Sequence, residues 1–354
     1  MSDRDPIYPA AALVDFAAAL FGAAGLAEDK AATVAEVLLE GDLLGHTTHG
    51  LALAAPYLRA LENGSMTRDG EPAVVSDHGG ALCWDGRRLP GPWLVASAID
   101  QALARATEHG IAAVAIQKSH HIACLAAYLE RATERGRMIL LTCSDPSEGS
   151  VAPYGGLRAL FTPDPIAIGI PTNGAPILID MSASITTNGM TARLRSEGRR
   201  FPGPWAMTAA GEPTDDPGAL SADPPGTLLP TGGREHGHKG YSLALAIEAL
   251  SQGLSGHGRA DRPSSWGASV YVQVMDPGAF GGAEGFIIQT GFIAAACRGN
   301  PAAPGVDAVR LPGERALALK RRALAEGVGL YPGIMSALQP WAERLGVALP
   351  RGRR

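Results

Sequence analysis

An α/β fold built on a mixed sheet, with flanking helices and a helical unit drawn from the N- and C-termini, is what this 354-residue sequence predicts. Three observations carry that expectation. Apolar residues recur at helical spacing near both ends of the chain, and in the middle short β-branched runs alternate with helical segments. Two of those runs are joined by Asn173-Gly174, a hairpin signal that favours antiparallel pairing.

The elements follow in order. From Pro9 to about Asn63 the chain reads as helices, with Leu13, Phe16, Ala17 and Leu20 on one stripe and Ala32, Val34, Val37 and Leu38 on the next; Asn63-Gly64 stops the last of them. Past Pro72 come short strands such as Ala81–Trp84, then a helix from about Trp93 to His109 closed by Gly110. Ile111–Gln117 is a short apolar run rich in small and β-branched residues and reads as a buried strand. A helix is predicted over Ala123–Arg135, and strands over Met138–Thr142, Pro165–Ile170 and Pro176–Met181. The Pro-, Gly- and Asp-rich stretch from Arg199 to Gly233 reads as a long surface excursion. Tyr241–Leu254 is patterned as a helix, Ala268–Met275 and Gly285–Ala294 as strands, Leu311–Gly327 as a helix, and the tail after Pro332 as another. The helical segment 1–72 is expected to pack with about 305–354, leaving 73–304 as the α/β domain.

Composition bounds the function. With 18% charged residues and a net charge of -5, the chain has no basic excess of the kind nucleic acid selects. No run is apolar and long enough for a membrane span, and the first residues do not form a secretory signal. Cys83, Cys124, Cys143 and Cys297 form no C-x-x-C and sit in apolar surroundings, so a reducing cytoplasm is the expected location. No internal repeat is present.

Neither the glycine fingerprint G-x-G-x-x-G after a strand nor the P-loop pattern occurs, so a dinucleotide would have to bind by other means. Histidines cluster instead, in His46-Thr47-Thr48-His49, in Ser119-His120-His121 and in Glu235-His236-Gly237-His238. Three readings stand side by side. His49 or His121 can donate the proton that hydride reduction of a carbonyl or imine requires. His46 and His49 can share a helix face as metal ligands completed by Glu235 or His238, although no H-E-x-x-H spacing supports this and no metal is predicted. Or the histidines can be caps and core groups satisfied by the backbone. Lys239 stands at a helix entrance where a cation and a helix N-terminus meet an anion or a carboxamide. Asp180 ends a strand, where its carboxylate can cap the next turn or accept ribose hydroxyls.

Taken together these segments resemble the malate/L-lactate dehydrogenase type 2 family, which includes sulfolactate, ureidoglycolate and cyclic-imine reducing enzymes. The resemblance spans nearly the whole chain. It rests on Asp42-Leu43-Leu44-Gly45, Thr48-His49-Gly50, Ser119-His120-His121-Ile122 and the run Phe161 to Pro171. It continues through Asp180-Met181-Ser182-Ala183-Ser184, Gly211 to Pro217 and, above all, His238-Lys239-Gly240-Tyr241-Ser242-Leu243-Ala244-Leu245. It implies a non-Rossmann fold, a homodimer, a small-molecule substrate and NAD or NADP as cofactor. It also implies that His49 is the proton donor, aided by Thr48 in place of the family's serine. His121, Ile122, Ala123, Cys124 and Leu125, then Asp180, Met181 and Ser182, then His238 and Lys239, would line the cofactor. Thr162, Asn188 and Gly189 would face the substrate. The loop holding Arg310, Pro312, Gly313 and Glu314 would reach the adenosine side.

Two positions depart from the family's pattern. Leu53 stands where an arginine usually holds the substrate carboxylate, and Met190 where an aspartate completes the relay to the histidine. A bidentate Arg–carboxylate pair is not replaced by leucine, which puts a plain 2-oxo acid in question. Without the relay carboxylate the histidine is a weaker acid unless another group, such as Arg59, Arg193 or Arg195, compensates. The expected activity is hydride transfer to a C=O or C=N carbon of a small, non-standard substrate. The alternative is a dehydrogenase scaffold turned to non-redox chemistry or to binding.

Overall fold

Seven strands form the central sheet of the computed structural model, which describes residues 6–353. They are β1 (Ala73–Asp77), β2 (Ala81–Asp85), β3 (Ile111–Ser119), β4 (Met138–Ser144), β5 (Pro165–Ile170), β6 (Ile177–Ser182) and β7 (Ala268–Met275), in the spatial order β1-β2-β3-β7-β4-β5-β6. Only β2 and β3 pair in parallel, and the helix between them, Gly91–His109, makes the crossover that parallel strands need. All other neighbours are antiparallel, including the β5–β6 hairpin turned at Asn173-Gly174. The sheet is therefore mixed, as expected.

Because β7 runs against both β3 and β4, its first residues lie beside their last ones: Ala268 pairs with Ser119 and Ser269 with Ser144. Pro165 at the start of β5 pairs with Ser182 at the end of β6. One end of the sheet thus gathers five strand termini, and the segments of His49 and His121 converge there.

Helices α1 (Ala10–Ala23), α2 (Glu28–Leu43), α3 (Ala54–Glu62) and α4 (Gly91–His109) precede the sheet or cover it. In α1 the residues Leu13, Phe16, Ala17, Leu20 and Phe21 recur every three or four positions and are buried as one stripe. Glu28 and Asp29 sit in the first turn of α2, where negative charge favours the helix dipole. Helix α4 packs on β3 and β7 and ends at Gly110, whose φ of 75° only glycine adopts readily. Helices α5 (Asn188–Ser196), α6 (His238–Glu248), α7 (Ala283–Arg298), α8 (Glu314–Glu326) and α9 (Ile334–Leu345) follow. The two ends of the chain meet: Ile7–Tyr8 pairs with Val328–Gly329, α9 packs on α1 and α3, and Lys320 of α8 bridges Glu40 of α2 (2.6 Å) and Glu130 (2.7 Å). One apolar cluster runs from α1 and α2 through α4 into the sheet. A second, smaller one lies under residues 199–233, where three short strands, Ala206–Met207, Pro213–Thr214 and Thr227–Leu228, give the surface excursion its own sheet.

Two predicted elements are corrected. Gly285–Ala294 is not a strand but part of α7. Its run of Phe, Ile and small residues is apolar on every side, and a short apolar run does not reveal its period. Ala123–Arg135 is not one helix but a 3₁₀ turn at Leu125–Tyr128 followed by a short helix at Glu130–Thr133. Ala123 is left-handed (φ 61°), and the Ala126 N–H donates to the Asp180 carboxylate, so the first turn is anchored to β6. Among the described residues no helix is long and apolar enough to cross a membrane.

Candidate active site

The gathered strand ends open into a cavity of about 710 Å³, a size that suits a bound small molecule or cofactor. Its wall begins with the turn that leaves α2. Asp42 holds this turn, since its Oδ2 accepts the Leu51 N–H at 2.7 Å. The approach is so close that a Cβ on Gly50 would stand 2.4 Å from Asp42 Cγ, so a side chain there would displace the carboxyl that holds the turn. Asp42 Oδ1 has no partner among the described residues, and burial lifts the carboxyl to about 7, against the pull of the Leu51 N–H and the Arg193 charge.

That burial has a consequence for stability. A carboxyl whose folded value lies above its unfolded one favours folding fully only below about pH 4, and the contribution is lost as pH rises towards 7. Asp42→Asn keeps an acceptor for Leu51 and never ionises. Its melting temperature is expected to exceed the parent's by a margin that grows between pH 4.5 and 7 and is flat above, worth roughly 2–4 kcal/mol at full extent. Equal margins at pH 4.5 and 8 in scanning fluorimetry would contradict this account of Asp42.

On the cavity side of the turn, Thr48 Oγ1 lies 2.9 Å from His49 Nδ1. The start of α5 abuts this pair: a Cβ on Gly189 would be 3.2 Å from Thr48 Cβ and 3.5 Å from His49 Cε1. Thr187 caps α5 by accepting the Met190 N–H at 3.2 Å, which sets Asn188, Gly189 and Met190 along the cavity. Leu53 lines the same region. Burial brings His49 down to about 4, and the neighbouring His46 and Arg193 push the same way. Among the described residues no carboxylate counters them. Of the three arginines considered as compensation, Arg193 donates to Thr47 Oγ1 (2.8 Å) and to the Thr47 carbonyl (3.0 Å), so it steadies the turn while its charge opposes protonation of His49. Arg195 donates to Ser221, and Arg59 is exposed on α3.

Behind His49 stands an aromatic wall. The His49 and His121 rings stack at 5.9 Å, and His121 stacks on Trp266 at 4.6 Å. The buried Tyr57 hydroxyl lies 2.9 Å from both His121 Nδ1 and the His121 carbonyl. Ala123 N–H donates to Nδ1 at 3.3 Å, which places the proton of the neutral ring on Nε2. Burial, reinforced by His49 and His120, drives His121 well below its ordinary value.

Beyond His121, Ile122, Ala123, Cys124 and Leu125 line the cavity, as does the strand end Asp180, Met181 and Ser182. Asp180 Oδ2 accepts the Ala126 N–H at 2.9 Å and the Cys124 thiol at 3.8 Å, while Oδ1 has no donor among the described residues.

The family is settled by comparison. Residues 8–339 match the family described as malate/L-lactate dehydrogenase. The chain belongs to this family. It is 30% identical over 335 residues to the (2R)-3-sulfolactate dehydrogenase (NADP(+)) of Chromohalobacter salexigens, covering 92% of this chain and 95% of that protein. It is 28% identical over 334 residues to the Delta(1)-pyrroline-2-carboxylate reductase of Ancylobacter novellus, covering 91% and 93%. The crystal structure of malate dehydrogenase from Entamoeba histolytica has a TM-score of 0.92 at 22% identity, over 98% of this chain and all of that one, a likeness of fold. The relatives are thus a hydroxy-acid dehydrogenase and an imine reductase, and this family member is an oxidoreductase of the dehydrogenase/reductase kind.

In this dehydrogenase Thr162 also lines the cavity, but its hydroxyl is engaged, donating to the buried Asp164. Behind it Ser144 Oγ donates to Glu248 (2.8 Å) and accepts from Gln252 (3.0 Å), and Arg259 pairs with Glu248 at 2.8 Å. Burial, with Glu248 nearby, raises Asp164 to about 7.

Six predicted site residues lie outside the cavity wall. His238 and Lys239 are exposed at the start of α6, with His238 against the Tyr154 ring. They adjoin the rim through Gly240, whose Cβ would stand 2.4 Å from the backbone nitrogen of Thr231, a lining residue. Arg310, Pro312, Gly313 and Glu314 lie by the start of β6, where the Pro312 carbonyl accepts the Leu178 N–H at 3.1 Å. The metal set drawn from His46, His49, Glu235 and His238 does not assemble. The group that does, His46, Cys124 and Asp180, has ligand atoms within 4.8 Å of one another, but burial lifts the Cys124 thiol well above its usual range, against thiolate ligation. Tyr57, Trp266 and Asp145 were not singled out by the sequence, and none carries a local signal: Trp266 lies in an ordinary loop far along the chain from His121. Asp42 stands in a block that carries the family resemblance, but the sequence gives it no role.

Proposed function

We propose that this dehydrogenase uses NADH or NADPH to reduce the C=O or C=N carbon of a small substrate, with His49 as proton donor to a carbonyl oxygen. The observation that carries the reading is convergence: the Thr48–His49 pair shares one cavity with residues 121–125 and 180–182, the segments the family resemblance assigns to the cofactor. The Asp180 oxygen without a donor fits a hydroxyl-bearing ligand such as a ribose. The sulfolactate relative's name also specifies NADP(+).

When bound, the reduced nicotinamide supplies the hydride. Asp180 would hold a ribose hydroxyl, residues 122–125 would pack along the cofactor, and Lys239 would approach its polar groups from the rim. Thr48 fixes the His49 ring through Nδ1, which leaves Nε2 to pass a proton to a nascent alkoxide. A C=N group that arrives protonated needs no such donor, and this reconciles the reading with a histidine that burial keeps neutral.

The test is a fluorescence titration of the protein with NADH and with NADPH, repeated on Lys239→Ala. Binding that the substitution weakens by about tenfold, as for loss of one charge-assisted contact, is the expected result. Failure of both nucleotides to bind at millimolar concentration would remove the redox reading.

A further inference from the structure

The charges of the cavity bear on its substrate, an inference that rests on the reductase reading above. Among the described residues lining it, the carboxylates are Asp145, Glu148 and Asp180, and none is lysine or arginine. Burial holds His49 and His121 neutral at pH 7. The nearby guanidinium groups stand behind the walls and line none of the cavity. Arg193 is bound to Thr47 and lies 3.6 Å over the Tyr331 ring. Arg88 donates to the carbonyls of Ser65 and Trp266, both at 2.8 Å. Arg259 is held by Glu248 and Ser144.

Asp145 follows the last residue of β4. Its Oδ1 is occupied by the Ser147 N–H (2.8 Å) and hydroxyl (2.7 Å), whereas Oδ2 has only a long contact, 3.4 Å, from the Gly267 N–H. Gly267 adjoins Trp266, the ring stacked on His121, so Asp145 belongs to the same wall as the reacting end of the cavity. Neither Asp145 nor Glu148 takes part in an ion pair among the described residues, and Glu148 is exposed. Burial raises Asp145 from the usual carboxylate range, outweighing the hydrogen bonds from Ser147 and Gly267 and the charge of Arg259. A substrate carboxylate would enter here against like charge and, with Leu53 on the wall, without a partner, while a small cation would meet two carboxylates that have no ion pair among the described residues, and an aromatic wall.

We propose that the substrate is a small cyclic imine without a carboxylate, bound as its iminium cation, and that Asp145 and Glu148 are the specificity-determining anions. The balance is simple. Hydride from the reduced nicotinamide forms a C–H bond at the iminium carbon, the C=N π pair becomes the nitrogen lone pair, and the products are a neutral amine and the oxidised nicotinamide cation. No proton leaves the protein.

Two measurements test it, the first without cofactor. In calorimetry, piperidinium is expected to bind at least tenfold more tightly than cyclohexanecarboxylate, and Asp145→Asn with Glu148→Gln to erase that preference. In turnover, 1-piperideine is expected to show a KM at least tenfold below that of its 2-carboxylate, with Asp145→Asn raising the former and leaving kcat within a few-fold. Equal or inverted preferences in calorimetry, or a carboxylated imine or 2-oxo acid as the better substrate, would overturn the cation assignment and leave the reductase standing. Cation selectivity in a protein that binds neither nucleotide would overturn the reductase reading, and with it the proposed reaction.

Discussion

Gly91→Ala is expected to lower the melting temperature by about 5 °C or more and to cut turnover at least tenfold, through overpacking and displacement of the site wall. A Cβ at this position would stand 2.4 Å from the carbonyl oxygens of both His120 and His121. Neither side can yield easily. Gly91 opens α4 between Pro90 and Pro92, where the backbone has little freedom, and the helix behind it buries Leu94, Val95, Ala98 and Ile99 completely. The 120–121 backbone must therefore move, carrying His121 away from Tyr57 and Trp266. Calorimetry and nucleotide titration on the same preparation check this. A variant with the parent's melting temperature and affinity would show that the wall tolerates displacement.

His49→Gln is expected to separate two kinds of substrate. Reduction of a carbonyl should fall by roughly 10²–10⁴, the usual worth of a positioned general acid, while reduction of a preformed iminium should change only a few-fold. The parent's pH dependence has a defined sign. With His49 at about 4, its acid form is a small minority at neutral pH and declines tenfold per unit, so carbonyl reduction in kcat/KM should rise as pH falls from 8 towards 5. The Gln variant should lose that slope. Equal losses on both substrates would assign His49 to binding rather than to proton transfer.

How legible all this is in the sequence depends on the range of the signal. Strands β3 and β4 announce themselves by β-branched runs, and the β5–β6 hairpin by its Asn-Gly turn. Helix α7 does not, because its apolar residues face solvent as well as core: Ile288 and Phe292 are exposed while only Gly291 and Ala294 are buried. The broken helix after Ala123 is hidden for another reason, since the acceptor that anchors it, Asp180, lies more than fifty residues away. The site divides along the same line. Thr48, His49, His121 and Asp180 stand in short recognisable segments, but Trp266 and Tyr57, which fix His121, and Asp145, which tilts the charge of the cavity, become neighbours only when the sheet forms.

The position of β7 sets an order of events during synthesis. Strands β3 and β4 both bond to β7 and not to each other, so they share a neighbour that the ribosome delivers more than a hundred residues later. Until residue 268 has emerged, two hydrophobic strands have open edges, a state prone to pairing with other chains. The same arrival brings Trp266 to His121 and Gly267 to Asp145. Closure of the sheet and completion of the reactive pocket are therefore a single late event, and a nascent chain stalled before it holds its histidines without the wall that makes them a site.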